Sequence, residues 1–159
     1  MPTLKSIPAI LAGLMLAACQ GQMGGPSVAT ATAMPVPSGL ARIYFYRDWE
    51  PYETLSRPLI YLNDAPSQIS EPGAVAFRDL PPGDYHISVD SEGVYPHQFK
   101  ELVVRAGDVR YVKIESLASW QTGRGPGHIG TRGTFVVELI PERQAQGEIA
   151  DKRYVPGAS

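Results

Sequence analysis

Leu80-Pro81-Pro82-Gly83-Asp84-Tyr85-His86-Ile87-Ser88-Val89-Asp90 reads as a turn followed at once by a strand. Pro82 fixes φ for a first turn corner, and Gly83 is expected to supply the positive φ of a type II turn. Tyr85, Ile87 and Val89 then alternate with polar residues at period two, the mark of a half-buried strand. Working outward, Ala41-Arg42-Ile43-Tyr44-Phe45-Tyr46-Arg47 is dense in aromatic and β-branched residues that suit a pleated surface. Segments 57–63, 73–78, 98–105, 109–117 and 134–140 have the same character, and the inward face of 109–117 is expected to be Val112 and Ile114. Seven short strands spaced by Gly, Pro, Asn and Asp clusters predict an all-β chain, a seven-stranded antiparallel β-sandwich. With 16 glycines, 15 prolines and no sustained 3.6-residue apolar period, almost no helix is expected in that domain.

The chain start has a different logic. Lys5, the apolar run from Ile7 to Leu16, and then Ala17-Ala18-Cys19 form a secretory signal pattern. The run is too short for a membrane span, which needs about 17–25 apolar residues. Residues 1–18 are therefore expected to be a signal peptide. Residues 19–39, uncharged and rich in Gly, Pro, Ser, Thr and Ala, are expected to be a flexible tether with a mean reach of about 25 Å. The sandwich domain is expected over 40–140. The polar tail 141–159, without an apolar face, is expected to be disordered. A formal charge of −2 leaves no electrostatic footprint for nucleic acid.

Two resemblances extend this reading. Leu16-Ala17-Ala18-Cys19 resembles the lipobox of bacterial lipoproteins, which implies that Cys19, the sole cysteine, becomes an acylated N-terminus carrying diacylglycerol and a palmitate-type chain. Gln20 after it implies, by the same resemblance, an outer-membrane location facing the periplasm. The Leu-Pro-Gly-Tyr pattern at 80–85, with Tyr44-Phe45-Tyr46-Arg47, Tyr61-Leu62-Asn63 and Gly107-Asp108-Val109-Arg110-Tyr111, is similar to an uncharacterised bacterial lipoprotein family. That family has one prealbumin-like sandwich domain of unknown function. The expected fold is thus prealbumin/immunoglobulin-like. In the hairpin, Asp64-Ala65-Pro66 stands where that family has Asn-Gly.

Catalytic patterns are thin. Gly125-Pro126-Gly127-His128-Ile129-Gly130 spells GxGxxG but lacks the βαβ setting that motif requires. It reads as a loop, on which Arg124, His128 and Arg132 could meet an anionic partner. His86, His97 and His128 lack metal-ligand spacing, no GxSxG elbow occurs, and Glu50 and Glu53 read as loop solvation. No catalytic, cofactor or metal residue is assigned, and the chain is not expected to be an enzyme. The loop from Arg47 to Arg57 stands out, because Trp49, Tyr52, Arg47 and Arg57 combine the aromatic and Arg types enriched at binding hot spots. The expected function is a lipid-anchored envelope binding or scaffolding module contacting an envelope protein or glycan. The alternative is a periplasmic hydrolase acting on wall or glycan.

Overall fold

The computed structural model describes residues 27–49, 56–93, 96–117 and 133–157. A short helix, Val28–Ala33 (α1), leads into Ala41–Tyr46 (β1), Leu59–Leu62 (β2), Ala65–Ile69 (β3), Ala74–Leu80 (β4), Gly83–Val89 (β5) and Phe99–Val104 (β6). Val109–Ser116 (β7), Phe135–Ile140 (β8), the helix Glu142–Ile149 (α2) and the two-residue strand Arg153–Tyr154 (β9) complete the described elements. The strands form a five-stranded sheet in the order β8-β7-β1-β4-β9 and a four-stranded sheet in the order β3-β2-β5-β6. No helix among the described residues is long and apolar enough to cross a membrane.

The mostly-β reading holds, but its details change. Nine strands occur among the described residues rather than seven. The larger sheet is mixed rather than antiparallel, since β1 runs parallel to β7 and β4 parallel to β9. One strand missing from the sequence reading is β3, whose polar Ser67 and Gln68 are buried while Ile69 is exposed, an inversion of the usual pattern. Its hairpin to β2 turns on Asn63 and Asp64, both at positive φ, as a two-residue turn between strands of right-handed twist demands. Pro66 is tolerated because β3 is an edge strand. Gly83 also departs from expectation. It is not among the positive-φ residues but opens β5, paired with Val104. Pro81-Pro82 carries the chain from one sheet to the other, so no tight reversal is needed there.

The two sheets share one core. Ile43 and Phe45 of β1, Ile87 of β5, Val104 of β6, Val112 and Ile114 of β7 and Phe135 of β8 pack together between them. The expected inward faces of β5 and β7 are therefore the observed ones.

A second cluster lies on the outer face of the five-stranded sheet. Tyr44, Tyr46, Val75 and Tyr111 from the strands meet Val28 and Ala31 of α1, Ala145 and Ile149 of α2, and Tyr154 of β9. Strand β1 is consequently buried along its whole length. Two expectations are corrected here: α1 lies inside the expected tether, and α2 with β9 occupies the expected disordered tail. The buried stripe of α2 is only Ala145 and Ile149, too narrow to register as an amphipathic period.

Candidate functional site

The roof over the outer face is fastened at two places. At one end of β1, Arg42 is buried and takes Asp79 with two nitrogens, Nε at 2.7 Å and Nη2 at 2.9 Å. Its Nη1 donates to the carbonyl of Met34 at 2.7 Å, which ties the segment after α1 to the sheet. The guanidinium also lies 4.0 Å from the centroid of the Phe77 ring. The hydrogen bond to Asp79 raises the Arg42 pKa further above its already high ordinary value, against the opposing effect of burial. Beside it, Tyr44 and Tyr111 stack with ring centroids 5.1 Å apart.

At the other end, Lys113 of β7 points outward into three carboxylates. Asp48 lies at 2.7 Å, Glu115 at 3.0 Å and Glu148 of α2 at 3.0 Å. Lys152 reaches the other oxygen of Asp48 at 2.5 Å, and Tyr46 donates to Glu148 at 3.0 Å. Burial works against charge at Lys113, yet its carboxylate partners hold its pKa above the ordinary lysine value. Burial likewise opposes ionisation of Asp48 and Glu148. Hydrogen bonds from Lys113 and Lys152 to Asp48, and from Gln144, Lys113 and Tyr46 to Glu148, still bring both below the ordinary carboxylate values. Tyr46 is pushed up, first by burial and then by its bond to Glu148. Every shift runs away from neutrality, whereas proton-transfer chemistry wants a group poised near the working pH. Chemically the cluster is an ion-pair clamp holding α2 and the segment before β9 onto the sheet.

Between the two fastenings, α1, α2 and the sheet enclose an open cavity of about 500 Å³. Tyr44, Tyr111 and Val109 form its floor, with Val28, Met34 and Ile149 among its walls.

The residues singled out in the 47–57 loop separate. Arg47 is fully buried at the end of β1, donating from Nη1 to the carbonyl of Ser56 at 2.9 Å, with its guanidinium 4.7 Å from the Phe135 ring centroid. It seals the core and offers no contact surface. Trp49 is 66% exposed, and its Cβ and Cε3 lie 3.5 and 3.6 Å from the position a β-carbon on Gly73 would occupy. Gly73 has φ +65°, which a side chain would strain. Arg57 is exposed and pairs with Glu71 at 3.4 Å. Tyr52, Glu50, Glu53, Cys19 and the loop bearing Arg124, His128 and Arg132 lie outside the described residues. His86 contacts Glu101 at 2.6 Å and lies against the Phe99 ring, while His97 contacts Lys100 at 3.3 Å. No group of three potential metal ligands converges among the described residues.

The clamp and the cavity escaped sequence reasoning. Tyr111, Lys113 and Glu115 sit on the face of β7 opposite Val112 and Ile114, and an alternating strand gives no sign that a helix will cover it.

The model of a family described as proteins of unknown function, DUF2846, matches residues 37–126. The chain belongs to this family. The DUF2846 match contains β1 to β7, and with them Arg42, Asp79, Lys113 and the floor of the cavity. The walls come from outside it, because α1, α2 and β9 flank the DUF2846 region. No curated protein and no solved structure matches the chain at a significant level.

Proposed function

We propose that the protein is a lipid-anchored binding module of the cell envelope. In this reading the two sheets are a prealbumin/immunoglobulin-like β-sandwich, and Cys19 is acylated and seated in the outer membrane facing the periplasm. Trp49 and Arg57, with Tyr52, contact another envelope component, a protein or a glycan. The observation that carries the reading is Trp49, a large aromatic left two-thirds exposed while its base lies against Gly73. Rigid aromatics of this kind anchor interfaces at low entropic cost. Docking of α1 shortens the expected leash. Val28 follows Cys19 by nine residues, so the domain stays within about 30 Å of an acylated Cys19.

The test is crosslinking and capture from intact envelopes, coupled to mass spectrometry of the N-terminal peptide. The expected result is a diacylglyceryl-modified Cys19 and a discrete partner whose recovery falls at least tenfold in a Trp49→Ala, Tyr52→Ala double variant. An unmodified Cys19 refutes the anchor. Equal recovery with both proteins refutes the loop contact.

A further inference from the structure

The cavity between α1, α2 and the outer sheet face is a second feature, independent of the anchor and of Trp49. Its volume of about 500 Å³ falls within the range of small-molecule sites, about 300–1,000 Å³. Its polar groups differ sharply in what they have left to give. Arg42 is spent, since Asp79 neutralises it through two bonds and the carbonyls of Met34 and Pro35 take further donors. An anionic ligand would have to break that buried pair. Glu142, exposed in the first turn of α2, accepts a bond from Gln146 Nε2 on its Oε1 at 3.0 Å and forms no ion pair among the described residues. The cavity lining combines the apolar Val28, Met34, Val109 and Ile149 with the polar Thr32 and Gln146.

We infer that this cavity binds a small cationic amphiphile, its apolar body against Val28, Met34, Val109 and Ile149 and its amine against the Glu142 carboxylate. The amine supplies the charge-assisted bond that Glu142 lacks, and the walls bury the carbon chain. Val28, Met34, Glu142 and Ile149 lie outside the DUF2846 match, whereas Val109 and the tyrosine floor lie inside it.

The purified full chain, labelled with ¹³C at its methionine methyls, is titrated with n-hexylammonium, and separately with hexanol and hexanoate. The Met34 signal is identified through a Met34→Leu variant. Hexylammonium is expected to shift that signal saturably, about fivefold more tightly than hexanol, with hexanoate weakest. Glu142→Gln is expected to erase the preference for the ammonium over the alcohol. Ala150→Phe, which fills the mouth of the cavity, is expected to abolish the shift with an unchanged circular dichroism spectrum. An unmoved Met34 signal, hexanoate binding as tightly as hexylammonium, or a Glu142→Gln protein that keeps its preference overturns the proposal. Neither Cys19 acylation nor Trp49 affects this readout, so the outcome is separable from the fate of the anchored-module reading.

Discussion

The two sheets share a core but differ in what lies behind them. Behind the five-stranded sheet, α1 and α2 cover Tyr44, Tyr46 and Tyr111, and Glu148 of α2 joins Asp48 and Glu115 around Lys113. On the four-stranded sheet, β6 leaves Phe99 and Val103 more than half exposed on its outer side, with His86 and Glu101 between them. Both faces carry aromatics and charges in strand alternation. Only the one that receives the flanking segments becomes a second core. The core between the sheets draws on the family-matched strands together with β8, while α1, α2 and β9 add the second layer.

Breaking the covered face at its strongest point tests this directly. Arg42→Ala leaves Asp79 facing an emptied site and frees the segment after α1. Loss of a buried pair's partner costs 3–5 kcal/mol, and partial exposure of Asp79 places this case near about 3 kcal/mol, read from the urea midpoint. Ile149→Ala removes the end of the α2 stripe and should cost about 2–3 kcal/mol. The matched truncation on the uncovered side, Val103→Ala, should stay within about 0.5 kcal/mol. Equal costs for these two would mean that the helices contribute nothing to the fold.

A subtler separation comes from pH. Asp48 and Glu148 titrate below their ordinary values in the fold. Their contribution is present above the unfolded carboxylate range, about pH 4, and drains as pH falls through the folded values. Lys113 titrates above its ordinary value, so its contribution is present below about pH 10.4 and is lost as pH rises through the folded value. The urea midpoint should be level near neutrality and decline on both sides. Lys113→Met should lower it at neutral pH and shrink the acid decline, because Asp48 and Glu148 lose the cation that holds them ionised. An acid limb identical to that of the parent protein would show that the clamp carries no pH dependence.

The contrast also explains what the chain declared in advance. Strands β5 and β7 were legible because Ile87, Val89, Val112 and Ile114 face one core at period two. Strand β3 was not, because its polar Ser67 and Gln68 are buried and its Ile69 is exposed. Helix α2 was hidden because two buried residues in eight leave a composition that looks soluble throughout. The parallel pairing of β1 with β7 has no local signature, since which strands become neighbours is decided by packing far along the chain. At the candidate site, the polar, proline-broken loop marked Trp49 as lying outside the core strands but left open whether it folds back or stays exposed. Burial of Arg47 was not foreseeable, because the Phe135 ring it packs on comes from a distant strand and its acceptor is a backbone carbonyl at Ser56.

Strand β1 is the centre of its sheet, yet Arg42 must wait for Asp79 and then for Val109 before both of its edges are paired. It emerges early from the ribosome and is satisfied late. Such long-range pairing slows folding toward the millisecond-to-second regime, and meanwhile Ile43-Tyr44-Phe45-Tyr46 stays open to pairing with other chains. Refolding yield should therefore fall steeply with protein concentration, and this one stretch should be where aggregation begins.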